Sequence, residues 1–180
     1  LWHHKVSGEV LSPPALSHQK VIAKTIDGKV FAYDAVNGKQ LWVAEHGSPS
    51  LVLKASSSPI IVDNLVLIGF SDGKLDALEL QTGRVVWQRS IAYATGSSDV
   101  ERLVDIDSDP IVKDKVAYLA SYQGYIGALS LTDGQFIWRK AGSVYKNMVL
   151  HENTLYLTDS NDVIWSLDRH TGHVNWKQTA

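Results

Sequence analysis

Residues 77–87 read Ala-Leu-Glu-Leu-Gln-Thr-Gly-Arg-Val-Val-Trp, and a glycine four residues before a tryptophan recurs along the chain. The four pairs are Gly38/Trp42, Gly83/Trp87, Gly134/Trp138 and Gly172/Trp176. A turn position precedes each glycine by ten residues, at Gly28, Gly73, Gly124 and Asp162. Counted from Trp2, successive tryptophans are separated by 40, 45, 51 and 38 residues. A period of this length with strand-rich content indicates a β-propeller or a solenoid.

One copy of the repeat, residues 58–89, divides into four short strands. Pro59 suits a first strand position, and turn signals follow at Asp63-Asn64, Asp72-Gly73 and Thr82-Gly83. We therefore expect an all-β fold, a β-propeller of four-stranded antiparallel blades. The expected blades are 9–46, 55–91, 108–141 and 145–180, with residues 1–8 as the closing strand of an earlier blade.

Two residue types recur at fixed places in each copy. The tryptophan offers a large apolar area and one N–H donor, which predicts a wedge between neighbouring blades. A small residue lies four positions after each of the turn positions Gly28, Gly73, Gly124 and Asp162, and we interpret it as a close-packing point near the propeller axis. These small residues are Ala32, Ala77, Ala128 and Ser166.

The composition excludes several classes of protein. The 180 residues carry a net charge of -2, which argues against a general nucleic-acid binder. The absence of cysteine excludes disulfides, thiolate metal sites and cysteine nucleophiles from this segment. Apolar runs such as residues 65–68 are too short to span a bilayer. Because the chain starts inside a repeat, we expect an excised segment of a longer protein.

Catalytic and metal signals are weak. Residues 69–73 match the G-x-S-x-G pattern, but they fall in a predicted strand-to-strand hairpin instead of the strand-to-helix elbow that exposes a nucleophile. Residues 105–109 resemble the start of a calcium loop, yet Pro110 and Val116 replace the required glycine and glutamate. The histidine pairs 3–4 and 170/173 make half a metal site at best. We expect no catalytic residue, metal site or cofactor.

Two long connections break the repeat, at residues 43–58 and 88–109, and both should lie on one face of the propeller. The first contains Leu51 and Leu53, and the second mixes charge with apolar residues around Asp105 and Asp107. An apolar pair beside a charged loop is typical of a protein-binding surface. Two alternatives stay open: the leucines pack under their own loop, and the aspartates form turns.

The blade pattern Ala-x-[Asp/Glu]-x-x-[Thr/Asn]-Gly-x-x-x-Trp, present at residues 32–42 and 77–87, resembles the pyrroloquinoline-quinone-type propeller repeat. The resemblance covers the whole chain and implies the fold. Quinone dehydrogenases of this type use an acidic calcium site and often an adjacent cysteine pair. This chain has no cysteine and no acidic cluster placed on the expected axis.

A narrower resemblance comes from the long connections. Residues 49–54, Pro-Ser-Leu-Val-Leu-Lys, and residues 94–107, Ala-Thr-Gly-Ser-Ser-Asp-Val-Glu-Arg-Leu-Val-Asp-Ile-Asp, are similar to loops of the BamB family. Residues 149–166 add to the similarity. BamB proteins are lipoprotein propellers of the outer-membrane β-barrel assembly machinery in Gram-negative bacteria. About half of a family-length chain is present.

The resemblance implies an eight-bladed, non-enzymatic scaffold that binds the periplasmic POTRA domains of BamA. Family contact positions fall on Leu51, Leu53 and Lys54 in the first loop, and on Asp105 and Asp107 in the second. Lys54 stands where an arginine is common, which keeps the charge and loses the bidentate fork. The implied location is the periplasmic face of the outer membrane, with the lipid anchor outside this segment.

The sequence leaves other functions open. A quinone-dependent propeller oxidoreductase fragment and a generic propeller interaction module are the alternatives, and nascent outer-membrane proteins are possible additional partners. Four blades with open sheet edges also favour self-association of the fragment.

Overall fold

The computed structural model describes residues 2–46, 58–70, 74–90, 110–121, 124–144 and 148–179. In these ranges the chain forms only β-structure, in four antiparallel sheets whose four strands follow in sequence order. The first sheet contains β1 (Ala15–Ser17), β2 (Lys20–Lys24), β3 (Lys29–Asp34) and β4 (Gln40–Glu45). The second contains β5 (Ile60–Val62), β6 (Leu65–Gly69), β7 (Lys74–Glu79) and β8 (Val85–Ser90). The third contains β9 (Ile111–Lys113), β10 (Val116–Ala120), β11 (Gly124–Ser130) and β12 (Phe136–Gly142). The fourth contains β13 (Val149–His151), β14 (Thr154–Thr158), β15 (Val163–Asp168) and β16 (Val174–Thr179).

In each sheet the turn between the third and fourth strands is closed by the repeat glycine, whose N–H donates to the carbonyl of the residue four positions earlier. In the first sheet Asp34 Oδ1 accepts hydrogen bonds from the backbone N–H groups of Val36 and Asn37, at 2.9 and 3.0 Å. Gly38 then donates its N–H to the Asp34 carbonyl with φ +74°, a value that glycine adopts without steric cost. The glycine of the repeat is thus required by the backbone of this turn.

The small residue of each repeat lies directly across the strand pair from the tryptophan. Ala32 pairs with Trp42, and a register shift follows at once, between Ala32 and Tyr33. The other sheets repeat this pairing as Ala77/Trp87, Ala128/Trp138 and Ser166/Trp176. Its place on the third strand, opposite the bulkiest residue of the fourth, explains why it is small.

The tryptophan of one sheet reaches the glycine turn of the next, as the wedge prediction requires. Trp42 covers Gly83 and donates its indole N–H to the Leu80 carbonyl at 3.0 Å. The same contact recurs for Trp87 on Gly134 and for Trp138 on Gly172, with N–H···O distances of 3.1 and 2.8 Å. The wedge prediction is therefore confirmed.

The hydrophobic core lies between the sheets. One buried cluster joins the first and second sheets through residues such as Ile22, Trp42 and Ile68. A second joins sheets two and three, and a third joins sheets three and four. Stacked four-stranded antiparallel sheets with their core between neighbours are the blades of a propeller, so the predicted fold class is confirmed.

The two ends of the described chain differ. Residues 2–8 carry no strand, but Trp2 lies on Gly38 and donates its indole N–H to the Ala35 carbonyl at 3.0 Å. Trp2 therefore takes the place on the first sheet that Trp42 takes on the second. Trp176, in the last strand, is 47% exposed.

Candidate interaction face

The register of each sheet places the end of its fourth strand beside the turn between its second and third strands. Lys29 at the start of β3 pairs with Glu45 at the end of β4, and Lys74 pairs with Ser90 in the second sheet. We call this end of the sheets the loop face. β4 and β8 extend into the connections predicted at residues 43–58 and 88–109, and both strands end at this face, in two neighbouring sheets. From here on, the two connections are residues 47–57 and 91–109. The opposite end carries the β1–β2 and β3–β4 turns and their equivalents.

All five predicted partner-binding residues lie outside the described residues. These are Leu51, Leu53 and Lys54 in the first connection and Asp105 and Asp107 in the second. The described chain instead defines the points where the two connections leave and rejoin the sheets. Pro59 and Pro110, at the two points of return, are both buried.

His46, directly after β4, anchors the start of the first connection onto the second sheet. Its backbone N–H donates to the Gly28 carbonyl at 2.9 Å. Its ring lies flat on Phe70, with centroids 3.9 Å apart and planes 8° apart. Its Nδ1 lies 2.7 Å from Asp76 Oδ2, and both side chains are buried. A carboxylate only accepts hydrogen bonds, so Nδ1 carries the proton in this contact.

The second oxygen of Asp76 binds the strand from which the second connection departs. Gln88 Nε2 donates to Asp76 Oδ1 at 2.7 Å and lies 3.3 Å from His46 Nδ1. Gln88 is in β8, which ends two residues later at Ser90. One buried carboxylate therefore binds a residue beside the start of each long connection.

Lys24 adds a second contact between the first two sheets at this end. It is buried, and its Nζ donates to the Gly69 carbonyl at 2.7 Å. The same Nζ lies 5.6 Å from the centroid of the Phe70 ring, on which His46 stacks. Charged and aromatic groups thus share one cluster here, buried except for the exposed Gln88, and we call it the His46 cluster: His46, Asp76, Gln88, Phe70 and Lys24.

The repeat does not require this cluster. The positions equivalent to Asp76 in the other sheets are Phe31, Gly127 and Trp165, and the position equivalent to His46 in the third sheet is Gly142, the last residue of β12. A charged residue between Leu75 and Ala77, in a strand that is otherwise buried, is the one signal in the sequence that marks it. The partner of Asp76 is thirty positions away, and no motif predicts that pairing.

The β2–β3 turn of the first sheet gives the loop face a small charged group. Lys29 Nζ lies 3.7 Å from Asp27 Oδ2 and 3.6 Å from Glu45 Oε1. The Thr25 hydroxyl, and then the Lys29 charge, hold the pKa of Asp27 below its ordinary value. The face therefore presents the ionised carboxylate of Asp27 at neutral pH.

Within the described ranges, no group of three His, Cys, Asp or Glu side chains is placed to hold a metal ion. His170 lies 3.4 Å from Asn153 Oδ1, and His4 stacks on Tyr33 with centroids 4.8 Å apart. Ser71 of the G-x-S-x-G match and residues 105–109 of the calcium-like stretch lie outside the described residues. In the part of the chain that the structure describes, no helix is long and apolar enough to cross a membrane.

Known proteins similar to this chain agree on a family. The family model for "Outer membrane protein assembly factor BamB" matches residues 1–178. A protein of that name from Legionella pneumophila (strain Paris) is 79% identical over 138 residues, which are 77% of this chain and 36% of the relative.

Solved structures agree on the fold. BamB from Moraxella catarrhalis superposes with a TM-score of 0.89 at 29% identity, over 97% of this chain and 53% of that one. Quinohemoprotein alcohol dehydrogenase from Comamonas testosteroni gives a TM-score of 0.76 at 17% identity, over 96% of this chain and 35% of that one, a likeness of fold alone. The chain spans between about a third and about a half of the length of these BamB relatives. With a family model that matches almost its whole length, this chain belongs to the BamB family of outer membrane protein assembly factors.

Proposed function

We propose that this chain is part of a non-catalytic scaffold of the β-barrel assembly machinery. It binds the POTRA domains of BamA and so assists the insertion of β-barrel proteins into the outer membrane. The observation that carries the proposal is the strand register. It places the ends of β4, at Glu45, and of β8, at Ser90, on the loop face of two neighbouring sheets. The two connections that depart there are the ones that carry the proposed contact residues.

The proposed contacts divide by chemistry. Leu51 and Leu53 supply apolar area, whereas Lys54, Asp105 and Asp107 fix the orientation of the partner through charge. A few such residues carry most of the binding free energy in protein interfaces, and charged residues at the rim mainly govern association rate and specificity. We therefore expect the five residues to contribute unequally to the binding free energy.

The test is the affinity of the chain for purified BamA POTRA domains, measured by titration calorimetry. Asp105→Lys should weaken binding about tenfold or more, because it reverses a charge in the interface. Glu152→Lys is the matched control, since it makes the same charge change in the exposed β13–β14 turn at the opposite end of the sheets. Equal affinity of the Asp105→Lys variant and the unchanged chain would remove the second connection from the interface.

The location and the further partners follow from the same proposal. The scaffold acts at the periplasmic face of the outer membrane of a Gram-negative bacterium, and nascent outer-membrane proteins are additional partners. Relatives named as outer membrane assembly factors support this placement. Cross-linking in the periplasm of cells that express the tagged chain tests it, and recovery of BamA is the expected result.

The alternative of a quinone-dependent oxidoreductase rests on the fold shared with the alcohol dehydrogenase. Addition of pyrroloquinoline quinone and calcium should give neither a bound chromophore nor dye reduction. Either signal would favour the oxidoreductase. A folded chain that binds neither quinone nor POTRA domains would favour a generic interaction module.

Self-association of the chain is a separate proposal. The exposed indole of Trp176 supports it, because every preceding tryptophan of the repeat lies on a glycine turn. An aromatic residue left open at a sheet edge favours contact with another copy. Sedimentation analysis should give a mass that rises with concentration, and a monomeric mass throughout would contradict the proposal.

A further inference from the structure

The His46 cluster poses a physical question. Burial of a histidine–aspartate pair removes two polar groups from water, and such a pair is often no more stabilising than apolar residues of the same size. In the other sheets the position of Asp76 is occupied by Phe31, Gly127 and Trp165, none of which is charged. The repeat therefore folds without this pair, and stability of the blade does not explain it.

The place of the cluster suggests its role. His46 is the last described residue before the first connection, and Gln88 lies two residues from the end of β8, after which the second connection begins. Asp76 accepts from both, through Oδ2 from His46 and through Oδ1 from Gln88, at 2.7 Å each. Because each oxygen of the Asp76 carboxylate accepts one of these hydrogen bonds, the carboxylate fixes the position of His46 relative to Gln88.

We propose that Asp76 and His46 are positioning residues for the partner-binding face: Asp76 holds the starts of both long connections in one geometry for a single protein partner. This inference rests on the proposed function. A partner that contacts both connections at once binds more tightly when their relative position is set in advance, because less conformational entropy is lost on binding.

Two substitutions at one position separate positioning from stability. His46→Ala removes both the stacking on Phe70 and the donor to Asp76. His46→Asn also removes the stacking but keeps an N–H donor near the place of Nδ1. His46→Ala should therefore lose more thermal stability than His46→Asn, so both affinities are measured at a temperature at which circular dichroism shows both variants fully folded. We expect His46→Ala to lower the affinity for BamA POTRA domains about tenfold, and His46→Asn to recover most of that loss.

Gln88→Ala provides a second test that does not depend on the folding of the His46 variants. Gln88 is exposed, but its truncation removes the donor to the buried Asp76 Oδ1, so we expect a small fall in melting temperature and a chain that stays folded at the assay temperature. It releases the second connection from Asp76, and we expect about a threefold loss of affinity. Combined with His46→Ala it should add little, because both changes act through one carboxylate.

The outcomes are distinct. If the unchanged chain binds POTRA domains, and His46→Ala and His46→Asn bind equally well while Gln88→Ala binds as the unchanged chain does, the positioning role is overturned and the proposed function stands. If the folded unchanged chain does not bind POTRA domains at all, the proposed function fails and the positioning role fails with it. Rescue of the affinity by asparagine, measured where both His46 variants are fully folded, supports the role.

Discussion

Trp42 lies flat over Gly83 of the next sheet, so closely that a Cβ on Gly83 would be 2.5 Å from the indole Cε3. The same indole donates its N–H to the Leu80 carbonyl, three residues before that glycine. One residue pair therefore joins apolar packing and a hydrogen bond across the boundary of two blades. Three further tryptophan–glycine pairs repeat the contact. The repeated residues therefore determine how neighbouring blades pack as well as how each blade folds.

Gly83→Ala should destabilise the chain by about 2–4 kcal/mol. A positive φ of +73° costs a non-glycine residue about 1–2 kcal/mol, and the clash with Trp42 adds a similar amount. Gly38→Ala is the matched comparison, since its φ is +74° and its neighbour is Trp2, which is 37% exposed and freer to move. Urea unfolding of both variants should show the larger loss for Gly83. Equal losses would mean that backbone strain alone accounts for the cost.

Trp42→Ala and Trp176→Ala should differ widely although the two residues occupy the same place in the repeat. Trp42 is 8% exposed within a buried cluster, and its truncation should cost about 3–5 kcal/mol. Trp176 is about half exposed, and its ring contacts Tyr156, 6.1 Å away between centroids, so its truncation should cost less than about 1 kcal/mol. Thermal unfolding in dilute solution measures both, and similar costs would show that Trp176 is covered in solution.

The sequence predicts the blade because its signals are local and repeated. Turn glycines, alternating strands and the fixed distance from Gly83 to Trp87 lie within a dozen residues, so their meaning can be read from one copy and checked against three others. The partner of each tryptophan is less local. Spacing predicts a wedge between blades, but only the structure shows that Trp42 contacts the glycine of the following copy.

The contacts of the His46 cluster could not be predicted from the sequence. His46 and Asp76 are thirty positions apart, occur once, and follow no motif, so nothing in the chain links them before it folds. The packing of Ala32 could be predicted only in part. Its size predicts close packing, whereas its position opposite Trp42 depends on strand register, which a one-residue shift would change entirely. The five predicted partner-binding residues lie outside the described residues and stay a prediction.

Leu53→Arg should weaken binding to POTRA domains by about tenfold or more and leave the blades folded. In the proposed interface, the arginine brings a charge that must be desolvated to a position where leucine would supply apolar area. Circular dichroism reports the fold and calorimetry reports the affinity. Val36→Arg is the control, because Val36 is exposed in the β3–β4 turn at the opposite end of the sheets. Unfolding of the Leu53→Arg variant would favour the alternative in which the leucine packs beneath its own loop.

Arg169→Leu should cost little, whereas Arg169→Ala should cost about 2–3 kcal/mol. The buried guanidinium joins the fourth sheet to the third through Asp114 at 2.8 Å and binds Asn153 of its own sheet at 3.2 Å. In the second and third sheets the equivalent residues are Leu80 and Leu131, so leucine suits the position sterically. Because the Asp114 side chain is 66% exposed, water replaces its lost partner. Alanine leaves the same groups unpaired and adds a cavity. Chemical denaturation of both variants measures the difference, and equal losses would show that the guanidinium hydrogen bonds dominate.

Asp159→Asn should lower stability at neutral pH and flatten the loss of stability in acid. Burial acts to raise the pKa of Asp159 and is the largest single influence. The backbone N–H groups of Val163 and Asn161, the Trp165 indole and the Lys177 charge together outweigh it, so the pKa lies below the ordinary value of 3.8. A lowered pKa means that the ionised carboxylate stabilises the fold above the unfolded-state pKa, and that this contribution disappears as the pH falls through the folded-state pKa.

Asparagine keeps one acceptor for the turn but presents an N–H₂ group toward the Trp165 indole, which in the unchanged chain donates to Asp159 Oδ2 at 2.9 Å. The loss of that bond should cost about 1 kcal/mol at neutral pH. Asp162→Asn is the control, since it removes an exposed carboxylate from the same turn, and asparagine tolerates its φ of +58°. Melting temperatures recorded between neutral pH and the acid range should converge for Asp159→Asn and the unchanged chain as the pH falls below 3.8. Curves that stay parallel would show that the ionised carboxylate contributes nothing to the fold.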